Sequence, residues 1–176
     1  MTHDGTTSGP VLVWITEGTW QASVDAARLL APAGVSVTLL HVAPEDLPDA
    51  AHGAYLGLLG RHHPGQDPGP RLTELADVSA SELLDAAARR LGRPCDRMQL
   101  RGEAKREVVN AAASASLLIV ARDGDQSRLG PKSLGKDTRF VVDHAPCPVL
   151  LVWPDAAPPI ASIPPPPGNH GDRPHP

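Results

Sequence analysis

The sequence predicts a three-layer α/β/α sandwich around a five-stranded, mainly parallel sheet. Short apolar runs such as "VLVWI" (Val11 to Ile15), "SLLIVA" and "PVLLVW" are nearly continuous, as expected of strands covered on both faces. Stretches with helical spacing stand between these runs, and strands separated by helices make parallel β-α-β units in one sheet. At 176 residues the chain holds one such domain with tails: 1–10 as a flexible start, 11–153 as the domain and 154–176 as a Pro-rich tail.

Each element has its own signal. After the first strand, Trp20, Val24, Ala27 and Ala31 fall on one helical face, with Thr19 as N-cap and Pro32 and Gly34 as the stop. Val35 to Val42 is the second strand. Ala43 to Asp77 is a long loop or lid, with Pro44, Pro48, Pro64, Pro68 and Pro70 spaced among five glycines, and "AHGAYLGLLG" as a short helix or a flap inside it. Val78 to Gly92 is a helix, with a capping box of Ser79 and Glu82, a staple of Val78 and Leu83, and Leu84, Ala87, Ala88 and Leu91 turned inward. A short strand "RMQL", a helix "KREVVNAAASA", the fourth strand, a helix from Thr138 to His144 and the last strand complete the order. The tail "PDAAPPIASIPPPPGNHGDRPHP" has no apolar period and is expected to be disordered or polyproline-like, either a solvated tail or a ligand for a proline-binding groove.

Composition narrows the function classes. A net charge of −4 and a pI near 6.0 give no basic field for nucleic acid or a membrane surface. The apolar runs are strand-sized, and the N-terminus lacks the apolar core of an export signal. Cys95 and Cys147 stand alone, which suits reduced thiols, so the expected location is cytoplasmic. His62 and His63 in "GRHHPG" have no carboxylate or cysteine at ligand spacing, so no metal is expected. Ser133, Asp143 and His144 make no triad, because "GPKSLG" lacks the nucleophile-elbow pattern and neighbouring residues on a helix diverge.

The loops at the strand ends carry a more specific pattern. "EGT" (Glu17 to Thr19) follows the first strand, "LLHV" closes the second at Val42, and "ARDGDQSRLGPKSLGK" leads from the fourth strand into a helix and then a proline-flanked strand. With these motifs the chain resembles the universal stress protein family from Val11 to Trp153. The resemblance implies an adenine-nucleotide α-hydrolase-like fold with sheet order 3-2-1-4-5, and a crevice at the carboxyl ends of strands one and four. It also implies ATP or another adenine nucleotide as ligand, with Glu17, Gly18, Thr19 and the backbone of Val42 facing adenosine. Ala121, Arg122, Gly124, Gly135, Lys136 and Asp137 would face the phosphates.

The family pattern, G-x2-G-x9-G-[ST], is degenerate here. Ala121 replaces its first glycine, the interval from Gly124 to Gly135 is one residue longer, Lys136 replaces the hydroxyl residue and Pro131 removes a donor. The segment has gained charge instead: Arg122, Arg128, Lys132, Lys136 and Arg139 stand against Asp123, Asp125 and Asp137. Two readings stay open. In one, Lys136 and Arg122 hold phosphates by charge, weakly and in a salt-dependent way; in the other, the charges pair among themselves and the domain is a non-binding protein-interaction module with a regulatory protein partner. A nucleotide-dependent hydrolase is a third class, disfavoured because "TEGTW" lacks a serine-glycine-rich loop and no GxxxxGK[ST] occurs. No general base or metal-binding carboxylate pair stands in the motif, so the resemblance implies regulation rather than turnover. It also places the last strand, Pro148 to Trp153, at the sheet edge, where its apolar character predicts a homodimer.

Overall fold

The computed structural model describes residues 9–45 and 69–165. His62, His63 and the expected short helix around Tyr55 lie outside these residues. The elements run β1 (Val11–Trp14), α1 (Trp20–Leu30), β2 (Val37–Ala43), α2 (Gly69–Leu91), β3 (Asp96–Arg101), α3 (Ala104–Ala112), β4 (Leu117–Ala121), a 3-10 turn (Pro131–Ser133), α4 (Lys136–His144) and β5 (Val149–Val152). All four strand pairings are parallel and the order is β3-β2-β1-β4-β5. This is the expected three-layer sandwich and sheet order.

Alternation along β1 divides the core. Val11, Val13 and Ile15 join Val24 and Ala27 of α1 and Leu84, Ala87 and Leu91 of α2 on one face. Leu12 and Trp14 join Val108 and Ala112 of α3 and Val141 of α4 on the other. Because successive strand residues point to opposite faces, a central strand with helices on both sides has to be apolar at every position. β1 is buried at all four.

The long helix corrects two expectations. α2 starts at Gly69, so Ser79 and Glu82 lie in its interior and form no capping box, and the loop from Ala43 does not reach Asp77. Pro70 sits in the first turn, where its missing N–H costs nothing, and no breaker follows until Gly92. Val78, assigned to a staple, is half exposed. The end of the helix falls where expected, with the Gly92 N–H donating to the Ala88 carbonyl at 3.2 Å.

The two sheet edges differ in chemistry. β3 is exposed at five of its six positions and carries ion pairs: Arg97 with Asp85 at 2.7 Å, and Arg101 with Asp77. Charged side chains on an edge discourage further pairing. β5 carries only Val149, Leu150, Leu151 and Val152, all half-buried.

Of the Pro-rich tail, residues 154–165 are described, and within them Ile160–Ser162 form a 3-10 turn. Its contact with the domain is slight: the Leu129 N–H donates to Ser162 Oγ at 3.0 Å, while Ile160 is 80% exposed. A hydrogen bond of this kind contributes about 1 kcal/mol. Truncation after Trp153 should therefore lower stability by no more than about 1 kcal/mol in a denaturant titration. A larger loss would show that the tail packs as part of the domain.

Candidate functional site

The crevice at the carboxyl ends of β1 and β4 arises from topology. The chain leaves β1 through α1 on one face of the sheet and leaves β4 through α4 on the other, so the two connections diverge between neighbouring strands. On the β1 side, Glu17 and Gly18 are exposed and Gly18 has φ +80°, a turn conformation that a side chain would strain. Thr19 occupies the N-cap position of α1 without a side-chain cap bond; its N–H and that of Trp20 both donate to the Thr16 carbonyl. Val42 is buried near the end of β2. Beside it His41, which sequence reasoning passed over, donates from Nδ1 to the Ile15 carbonyl at 3.0 Å and so ties β2 to the residue that follows β1. Only its place in "LLHV" pointed to it.

On the β4 side the loop is largely bonded to itself. The Gly124 N–H donates to the Ser133 carbonyl at 3.0 Å and the Asp125 N–H to the Lys132 carbonyl at 2.8 Å, so the loop folds back as a short ladder. A Cβ at Gly124 would lie 2.4 Å from the Lys132 carbonyl oxygen. The glycine is thus required by the loop's own backbone. Asp125 accepts from the Ser127 hydroxyl and N–H and pairs with Arg128 at 2.9 Å, and these contacts hold its carboxyl below the usual range, the Ser127 hydroxyl contributing most. Ser133 is fully buried and donates to the Gly130 carbonyl at 2.7 Å, so its hydroxyl braces the turn. Asp143 and His144 are exposed, and His144 bonds the Phe140 carbonyl of its own helix.

Arg122, expected at the phosphates, is engaged elsewhere. Its guanidinium donates to Ser133 Oγ and lies 4.6 Å above the centre of the Trp153 ring, while its N–H donates to the Val152 carbonyl at 2.9 Å. A guanidinium held by a hydroxyl and an aromatic face clamps the loop to the end of β5. Ala121 is the buried last residue of β4. Gly135 is the N-cap of α4, and its N–H donates to Asp123 Oδ1 at 2.7 Å. Lys136 and Asp137 follow in the first turn, both exposed, and Lys136 has no ion-pair partner among the described residues. Of Arg122 and Lys136, the two cations expected to hold phosphates by charge, Lys136 is the one whose side chain has no ion pair or hydrogen bond among the described residues.

Two cavities flank the Arg122–Trp153 stack. One of about 590 Å³ is lined by Gly18, Thr19, Asp25, Arg90, Trp153 and Asp155 among others; the second, of about 370 Å³, is lined by Arg122, Gly130, Pro131, Leu134, Arg139 and Asp143. Neither joins Glu17 and Val42 to Gly135. Among the described residues no group of His, Cys, Asp and Glu is arranged to hold a metal ion, and no helix is long and apolar enough to cross a membrane. Cys95 and Cys147 are free, and burial pushes both thiols above their ordinary range.

A five-stranded parallel sheet with a β1/β4 switch point, flanked by an acidic turn and a glycine-bearing loop, defines a nucleotide-fold α/β domain of the universal stress class. The sequence model of the universal stress protein family matches residues 10–152, and the chain belongs to that family. Among solved structures it is similar to the hypothetical protein MJ0577, at 18% identity over 84% of this chain and 98% of that one, with a TM-score of 0.54. A universal stress protein in complex with cAMP is 17% identical over 84% of this chain and 99% of that one, with a TM-score of 0.53. UspA from Lactobacillus plantarum is 21% identical over 81% and 97%, with a TM-score of 0.50. At these identities the likeness is one of fold. A comparison with curated proteins returned no match.

Proposed function

We propose that this protein is a cytoplasmic stress-response domain that regulates by association rather than turnover, and that its β1/β4 crevice takes ATP or another adenine nucleotide weakly. The observation that carries this is topological: β1 and β4 are parallel neighbours, so the exposed Glu17–Gly18 turn and the loop leading to α4 leave the same end of the sheet, and Lys136, without an ion-pair partner among the described residues, adds charge to the helix N-terminus. The cAMP complex of a universal stress protein with the same fold supports it. Binding is weak in this reading because the loop's N–H groups are bonded internally and Arg122 is held by Ser133 and Trp153. Contacts of the remaining type, partly wet and charge-based, each contribute about 0.5–1 kcal/mol.

Titration of labelled ATP, ADP, AMP and cyclic dinucleotides at low and high salt tests the proposal. Affinity should fall as salt rises, and Lys136→Ala should weaken binding about three-fold and flatten the salt dependence. Absence of binding by every nucleotide at low salt would overturn it. The second reading, a domain that recruits a regulatory protein partner without nucleotide, is favoured by the contact between Asp123 and Gly135.

A further inference from the structure

We propose that Asp123 is a specificity-determining residue: its carboxylate stands as an internal anion at the entrance to α4 and sets the crevice against phosphate-bearing ligands. The inference rests on the crevice being the ligand site, and it concerns which ligands enter. Oδ1 of Asp123 accepts the Gly135 N–H at 2.7 Å, and Gly135 is the N-cap of a nine-residue helix. A carboxylate there offers the helix end what a phosphate oxygen would, namely negative charge and an acceptor. It also fills the room, since a Cβ on Gly135 would lie 2.7 Å from Oδ2 and 2.8 Å from Cγ. The approach that the glycine leaves open is taken by this side chain.

The two neighbouring acidic residues serve different ends. Asp125 is neutralised within its own turn by Ser127 and Arg128. Asp123 reaches twelve residues along the chain to a backbone donor, and no cation among the described residues pairs with it. A phosphate brought to Gly135 would meet an uncompensated like charge and would have to displace it, and both effects grow with the ligand's charge. A nucleoside, which places no anion there, meets neither.

The experiment compares the full chain with Asp123→Asn and Asp123→Ala, each confirmed folded by circular dichroism, in calorimetric titrations with adenosine, AMP and ATP at low salt. Asparagine keeps an acceptor for the Gly135 N–H and removes the charge; alanine removes both. ATP affinity should rise about ten-fold in the alanine variant and less in the asparagine variant, while adenosine affinity stays within about two-fold of the parent. Inorganic tripolyphosphate, followed at the Gly135 amide by NMR, supplies a readout independent of adenine: the amide should shift in the alanine variant and stay unmoved in the parent. A shift in the alanine variant with no adenine ligand bound by any form would sustain the role of Asp123 and defeat the nucleotide reading. Equal ATP affinity in the three forms, an amide in the alanine variant that tripolyphosphate leaves unmoved, or an amide that already shifts in the parent would each overturn the proposal.

Discussion

Gly124→Ala should lower stability by about 2–3 kcal/mol and the melting temperature by roughly 5–10 °C, the largest effect expected of any single methyl group in the loop. The added carbon would lie 2.4 Å from the Lys132 carbonyl oxygen, 2.8 Å from the Ser133 carbonyl carbon and 2.9 Å from that of Leu134. All three are backbone atoms, and the Gly124 N–H is itself bonded to the Ser133 carbonyl, so relief requires the ladder to open. Opening it would disturb the buried Ser133 and, through its hydroxyl, Arg122. Gly135→Ala offers the contrast. There the carbon meets the carboxylate of Asp123, an exposed side chain that can turn away, so the loss should stay under about 1 kcal/mol. Differential scanning calorimetry of the two variants decides the matter, and equal effects would mean that the loop is not folded back on itself.

Light scattering at micromolar concentration should report a homodimer formed through β5, and Val149→Pro should convert it to monomer without unfolding the domain. β5 is an edge strand, apolar throughout and half-buried, whereas the opposite edge on β3 is guarded by ion pairs. Hydrogen bonds to β4 come from the carbonyls of Pro148 and Val152, so by strand alternation the N–H groups of Val149 and Leu151 face away from the sheet. Two copies related by a two-fold axis would exchange those donors across antiparallel strands. Proline at Val149 deletes one donor per copy. Losing two bonds of about 1 kcal/mol each weakens association by roughly thirty-fold. A charge at Leu151 is a poorer probe, because it would set an ion against the layer of α3 and α4, whereas proline at Val149, which packs on the same layer, remains apolar there. A parent that is monomeric, or a proline variant that remains dimeric, would remove β5 as the interface.

What the sequence made legible follows from how local each signal is. The continuous apolar runs of β1 and β4 could be read directly, because burial on both faces leaves few polar positions. The helix end at Gly92 was legible for the same local reason. Ser79 and Glu82 misled because the spacing of a capping box also occurs inside a helix, and only the chain from Gly69 to Val78 decides which it is. The places of the acidic turn after β1 and the glycine-bearing loop after β4 were legible, because each follows directly on a strand that could be read. The use of its charges was not. Arg122 was assigned to phosphates on charge, whereas its partner Ser133 lies eleven residues on and Trp153 on another strand's end. The contact from Asp123 to Gly135 likewise depends on how the intervening loop folds, and no residue pattern encodes that by itself.

The cation resting on Trp153 also gives the molecule an optical gauge. Trp14 is buried in the sheet and Trp20, the first residue of α1, packs partly buried against the core between α1, α2 and the sheet, so both indoles keep apolar surroundings whatever happens at the loop. Trp153 alone has a guanidinium 4.6 Å from its ring centre, borne by the residue whose backbone joins the loop to β5. Any occupant of the crevice that draws Arg122 away changes the field on one indole out of three. The emission spectrum of the unlabelled protein therefore reports the state of the loop.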